Sequence, residues 1–236
     1  MPIENLDSTQ GLVFVGEITS TRNLLASGLR ILREGAFFDT TKDPIFTTLS
    51  IGVEKYLKLI LGTISLDEHQ RWPSKAEMMG YGHGIAEMWD RVMDEVHRRT
   101  EDKSEYIRGL DAGVDVDPVL RPLLEVLDRY GRSGRFYNLD ALGGRPQEDL
   151  SPDEMFNAVE QAALADPEVS RARDEAMADL FDQVASDQFD TILRERIASS
   201  LDGAWQMLSR VGMNDGFGET GKVLGYELRA ADVGDQ

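Results

Sequence analysis

The chain contains no cysteine, which removes disulfides, thiolate zinc sites and a cysteine nucleophile together. Histidine is nearly as scarce. His69, His83 and His97 are the whole supply, so a dedicated transition-metal site would have to lean on carboxylates. No uninterrupted apolar run approaches the roughly 18 residues a membrane span needs, and no basic residue precedes Arg22, so the N-terminus does not read as a secretory signal. A soluble, cytoplasmic protein with no membrane partner is the expectation. Positive charge is also short: 25 Lys and Arg stand against 43 Asp and Glu, a net charge of −18. The excess is uneven, with a net of −11 over residues 151–236 and −7 over residues 1–150. An acidic surface favours solubility and disfavours nucleic acid as a bulk ligand. An anionic substrate would be met more readily by the first part.

What the sequence has is amphipathic helix. Its 236 residues, 41% apolar, suffice for a sizeable core. In Pro44 to Leu61, at 100° per residue, Phe46, Leu49, Val53, Tyr56, Leu57 and Ile60 gather on one side, with Ile45, Leu59 and Leu61 at its margins. More than half the circumference is apolar, so this helix needs neighbours on several sides. The remaining strip carries Glu54, Lys55 and Lys58, with Glu54 four residues ahead of Lys58 in the favourable order for an ion pair. The stretch reads as the central helix of an all-α bundle, with Asp43 as N-cap, Pro44 at the first helical position and Gly62 as its stop.

Its expected neighbours follow the same logic. Leu24, Leu25, Gly28, Leu29 and Leu32 give a preceding helix the 3.6 period, and GLVFVG at 11–16 reads as a short extended arm before it. Ile85, Met88, Trp89, Val92, Met93 and Val96 make a clean amphipathic face. Leu120, Leu123, Leu124, Leu127 and Tyr130 make another, ending at Gly131. RSGRFYNLDALGGRP, 132–146, is a loop with enough apolar content to pack on the bundle. Ser151-Pro152-Asp153-Glu154 is a capping box with proline in the first turn, Asp166-Pro167 repeats the cap, and Phe189 through Leu208 supplies a further helix. The resulting division is an arm at 1–17, a bundle at 18–145, an acidic helical region at 151–215 and a loose tail at 216–236.

Several motifs invite chemistry and fail on inspection. Gly216 to Lys222, GFGETGK, fits the first seven positions of a phosphate loop, but Val223 replaces the metal-binding hydroxyl and a helix precedes it. It reads as a flexible turn. Asp111, Asp115 and Asp117 lack the spacing, glycine and closing glutamate of a calcium loop. No metal or cofactor is called for. His83 starts its helix, where capping or core satisfaction is the ordinary role.

A family resemblance enters through FFDTTKDPIFTTLSIGVEKYLKLIL followed by GYGHGIAEMWDRVMDEV. A paired-charge central helix and then a glycine-histidine helix start resembles the HEPN (higher eukaryotes and prokaryotes nucleotide-binding) superfamily over roughly residues 18–130. The resemblance implies an all-α bundle, usually a homodimer, whose active members are metal-independent endoribonucleases or nucleotide-binding effectors of prokaryotic defence and toxin systems. It further implies an Arg and a His separated by four to six residues, which Arg91 and His97 in RVMDEVH satisfy. The arginine would stabilise the phosphate and the histidine act as general acid or base. Val92 departs from the polar residue usual after that arginine, and six helical residues leave the two side chains about 120° apart. Arg135 and Asn138 of RFYNLD are candidate substrate contacts beside the bundle. The other reading is a non-catalytic acidic helical interaction or regulatory protein, self-associating through helical faces or binding an RNA or protein partner.

Overall fold

The computed structural model describes residues 3–34, 38–179 and 181–229. Their regular structure is all helix, with no strand among the described residues. The long elements are α1 (Ser8–Glu34), α2 (Phe38–His69), α4 (Ile85–Thr100), α7 (Leu120–Arg132), α9 (Pro152–Ala163), α10 (Pro167–Ala178), α11 (Gln183–Met213) and α12 (Gly218–Glu227). Between them lie the short α3 (Lys75–Gly80), α5 (Glu105–Arg108), α6 (Ala112–Asp115) and α8 (Tyr137–Leu142). No described helix is long and apolar enough to cross a membrane.

The central helix is α2, packed by α1, α4, α7 and α12. Its apolar wheel is buried on all the expected sides, from Leu49 and Ile60 at 0% exposure to Leu59 at 6%. The expected faces of α4 and α7 are buried as well. Phe46 of α2 meets both Tyr130 of α7 and Phe156 of α9, with ring centroids 5.6 and 5.5 Å apart, so α9 closes over the joint between them. The second long helix, α11, lies against α1, α9, α10 and α12, and one buried apolar cluster runs from Phe14 to Leu228.

Four local expectations are corrected. GLVFVG is helical, not extended: Asp7 caps α1 by accepting from Thr9 and Gln10 N–H at 2.8 Å, while Gln10 Oε1 accepts from Asp7 N–H at 2.9 Å. That reciprocal box starts the helix before the glycines, and Phe14 then continues the face of Ile18, Leu25, Leu29 and Leu32. Pro44 lies inside α2, in its second turn, not at its first position. One missing backbone bond near the N-terminal end is a small loss beside the burial that follows. Gly62 does not stop α2. It is there because the ring of Trp72 lies where a Cβ would be, 2.3 Å away; the helix ends at His69, and Gln70 just beyond it takes φ of 57° and donates its N–H to the Leu66 carbonyl.

The fourth correction concerns the tail. Residues 218–227 form α12, packed on α2 and α11, with Leu224 and Leu228 buried. A Cβ on Gly225 would lie 2.6 Å from the Ser209 carbonyl oxygen and 2.5 Å from the Met213 nitrogen, and one on Gly212 2.9 Å from the Gly221 carbonyl oxygen. Gly212 and Gly225 are thus a backbone-to-backbone contact between α11 and α12, and Gly221, read as part of a flexible turn, lies inside α12. Residues 230–236 of the expected tail, and residues 1 and 2 of the expected arm, lie outside the described residues.

The capping box at Ser151 and Glu154 and the Asp166-Pro167 cap form as read. The 132–146 segment holds a 3-10 turn at Gly134–Phe136 and then α8. It is tied down less by its aromatics than by buried Arg129, whose guanidinium donates to the Leu150 carbonyl at 2.9 Å, the Ser133 hydroxyl at 2.6 Å and the Gln147 side-chain oxygen. Phe136, Leu139 and Leu142 stay exposed.

Candidate functional site

Arg91 and His97 both project from the exposed side of α4, and the structure commits them to different neighbours. The Arg91 guanidinium carbon lies 4.9 Å from the ring centroid of Tyr81, beyond the end of α3. Stacking of a cation on an aromatic face holds it there. Burial keeps the Tyr81 phenol above its usual range, with Arg91 pulling the other way. His97 Nε2 faces α6 instead, 2.8 Å from Asp111 Oδ2 and 3.8 Å from Asp115 Oδ2. Six residues of helix separate the two side chains by about 9 Å of rise as well as by rotation. The structure does not bring them to one point. Val92, between them, is fully buried in the core.

Arg135 and Asn138 sit on a different element. Both are exposed, and the Arg135 guanidinium covers the ring of its own neighbour Phe136, 5.0 Å from centroid. Nothing in this arrangement adds them to Arg91 and His97.

His97, Asp111 and Asp115 offer three ligand atoms within 4.8 Å of one another. Asp111 and Asp115, four apart across α6, share a face, so one imidazole and two carboxylates are the set that could hold a divalent ion. The carboxylate-histidine hydrogen bond already satisfies the two closest members.

His83, read as a helix cap or core residue, is neither. Its side chain is 71% exposed, and its Nδ1 lies 2.9 Å from Glu54 Oε1. An ionised carboxylate only accepts, so the imidazole N–H donates. The same oxygen accepts from Lys58 Nζ at 2.8 Å. The cap of α4 is supplied from elsewhere, by Asp128 of α7, whose carboxylate accepts the Ile85 N–H. The Glu54 to Lys58 spacing was legible in the sequence. The His83 contact was not, because it joins residues 29 apart across a connector.

One recess has the build of a binding site. Between the first half of α1 and the second half of α2 lies a cleft of about 370 Å³, floored by Phe14, Leu59 and Trp72 and lipped by Val13, Met78 and Lys58. Phe14 and Trp72 meet edge to face, centroids 5.6 Å apart. Pockets that take small molecules are concave and mostly apolar with a few polar groups. Trp72 arrives there from the segment between α2 and α3, which is fixed by the Ser74 and Glu77 capping box and by a bidentate Arg71–Glu77 pair at 2.7 Å. Arg71 and Ser74 together hold the Glu77 carboxyl far below the usual carboxylate range.

Comparison with family models, curated proteins and solved structures returns no match. The functional reading therefore rests on the chain's own residues.

Proposed function

We propose that this chain is a HEPN-like helical protein whose work is binding: an acidic, cytoplasmic interaction or regulatory module, in the prokaryotic defence or toxin setting that the resemblance implies. The observation that carries the choice is the divergence of Arg91, stacked on Tyr81, from His97, bonded to Asp111. A phosphate held by the arginine would not reach the imidazole within one chain. The HEPN-like part rests on the sequence resemblance, whose two segments meet where His83 bonds Glu54. Exposed Leu12 and Val15 on α1, 77% and 46% accessible, are the helical face offered for self-association into a homodimer.

The deciding experiment incubates structured and single-stranded RNA with the protein in EDTA. Intact RNA is expected. Sedimentation equilibrium of the wild type and of Leu12→Glu then reports whether the α1 face carries a dimer.

A metal-independent endoribonuclease is the second reading, and one observation favours it. Asp111 holds His97 as a carboxylate holds an acid-base imidazole in an active site. Under that reading RNA is cut in EDTA, and Arg91→Ala and His97→Ala each stop the cutting with the circular dichroism unchanged.

A further inference from the structure

We propose that the cleft between α1 and α2 binds a small aliphatic monocarboxylate, with its chain on Phe14, Leu59 and Trp72 and its carboxylate on the Lys58 ammonium. The inference does not depend on the choice between binding and catalysis above.

Size comes first. At roughly 30 Å³ for each water-sized group, 370 Å³ admits about a dozen non-hydrogen atoms. The floor is made of aliphatic and aromatic carbon, so most of those atoms should be apolar. Burying them removes both ligand and cleft surface from water.

The head group follows from the charges at the lip. Lys55 and Lys58 both line the cleft, but they are not equivalent. Lys55 is held by Glu17 at 2.7 Å and by the Ser20 hydroxyl at 3.0 Å. Lys58 depends on Glu54 alone among the described contacts, and Glu54 has a second donor in His83 Nδ1. A ligand carboxylate can therefore take over Lys58 while Glu54 keeps the imidazole, so no carboxylate is left without a donor. The Lys58 side chain is 19% exposed, which makes an ion pair there stronger than one in open solvent. A phosphate or nucleotide suits the place poorly. The chain carries a net charge of −18, which opposes a multiply charged anion, whereas one carboxylate exchanged within an existing ion pair changes the local charge least. An amine has no free carboxylate on the cleft to meet, since Glu17 is paired with Lys55.

The test uses the full chain and three probes of equal length: decanoate, decanol and decylamine, each below its micelle concentration. Titration calorimetry and the fluorescence of Trp72 report binding. Decanoate is expected to bind one to one with a Kd of roughly tens of micromolar. Lys58→Met should weaken decanoate about tenfold and decanol less than about twofold, and Lys58→Arg should restore most of the difference. Val13→Trp, at a lip position 60% exposed, should fill the cleft and abolish binding of both, with the thermal melt unchanged. Should Lys58→Met not fold, Lys58→Gln serves in its place. The proposal is overturned if decanoate does not bind, if decanol or decylamine binds as tightly, or if the Lys58 variants leave decanoate unaffected. It is equally overturned if a second copy occupies the cleft, seen as a dimer that Val13→Trp dissociates and decanoate does not.

Discussion

The Tyr56 hydroxyl lies 3.1 Å from the Ser209 hydroxyl, in the buried seam between α2 and α11. The Ser209 hydroxyl in turn donates to the Leu228 carbonyl at 2.9 Å, and Trp205 Nε1 donates to that same oxygen. Three helices are thus joined through one short chain of donors, with no polar atom of it left over. Removing the first donor by Tyr56→Phe leaves Ser209 its acceptor, so the loss should be that of one net hydrogen bond, about 1 kcal/mol in urea unfolding.

The same phenol sets an alkaline limit. Burial pushes the Tyr56 hydroxyl well above its usual range, with Ser209 pulling slightly the other way. Between the ordinary value near 10 and the higher folded value, the folded state keeps a proton that the unfolded state has lost. Its contribution is complete below about pH 10 and falls as pH rises further. Wild type should lose stability more steeply than Tyr56→Phe between pH 9 and 11. A constant difference over that range would refute the assignment.

The acid limit has a different source. Burial alone would raise the Asp117 carboxyl, but the Arg196 guanidinium at 2.7 Å and the Val119 N–H at 2.9 Å outweigh it and hold the group below its usual range. Its stabilisation is present above the ordinary carboxylate value near 4 and is lost as pH falls through the lower folded value. Arg196→Gln should cost about 1 kcal/mol at pH 7, allowing for solvent screening, and less at pH 3, where part of that stabilisation has gone. Urea midpoints at the two pH values measure the difference.

Glycines divide into those that hold helices together and those that do not. Gly225→Ala must move backbone, because its Cβ meets Ser209 and Met213 main-chain atoms. A loss of about 1–3 kcal/mol is expected despite the better helix propensity. Gly203, inside α11, has nothing within 4 Å of its Cβ, so Gly203→Ala should add roughly 0.5–1 kcal/mol. Thermal melts of the pair should shift in opposite directions.

Gly62→Ala tests the floor of the cleft. The added methyl must displace the Trp72 ring. Trp89 and Trp205 stay buried, so increased acrylamide quenching would report Trp72 alone. Unchanged quenching would show that the ring does not rest on Gly62.

How much of this was legible follows from how each signal is written. The faces of α2, α4 and α7 repeat every 3.6 residues over many turns, and their burial follows that count. The caps at Ser151 and Asp166 are local spellings and form as spelled. The box of Asp7 and Gln10 is equally local, but the glycines around LVFV masked it. Gly62, Gly212 and Gly225 carry no local sign of their use. A glycine that breaks a helix and one that admits a neighbour look alike until the neighbour is known, and here the neighbours are Trp72 and another glycine-bearing helix. For the candidate pair, a spacing of six fixes an angle along α4 and says nothing about Tyr81 or Asp111, the neighbours that each side chain takes.

The position of α12 against α2 has a bearing on how the protein is made. Synthesis proceeds from the N-terminus, so the central helix leaves the ribosome long before the segment that covers one of its sides. Until Gly218 to Leu228 arrives, Tyr56 has no completed donor chain and the apolar side of α2 that faces α12 waits in water. Substitutions near the C-terminal end should therefore lower the yield of soluble protein from cells through exposure of that nascent surface, even where the purified protein, once folded, differs little in its melt.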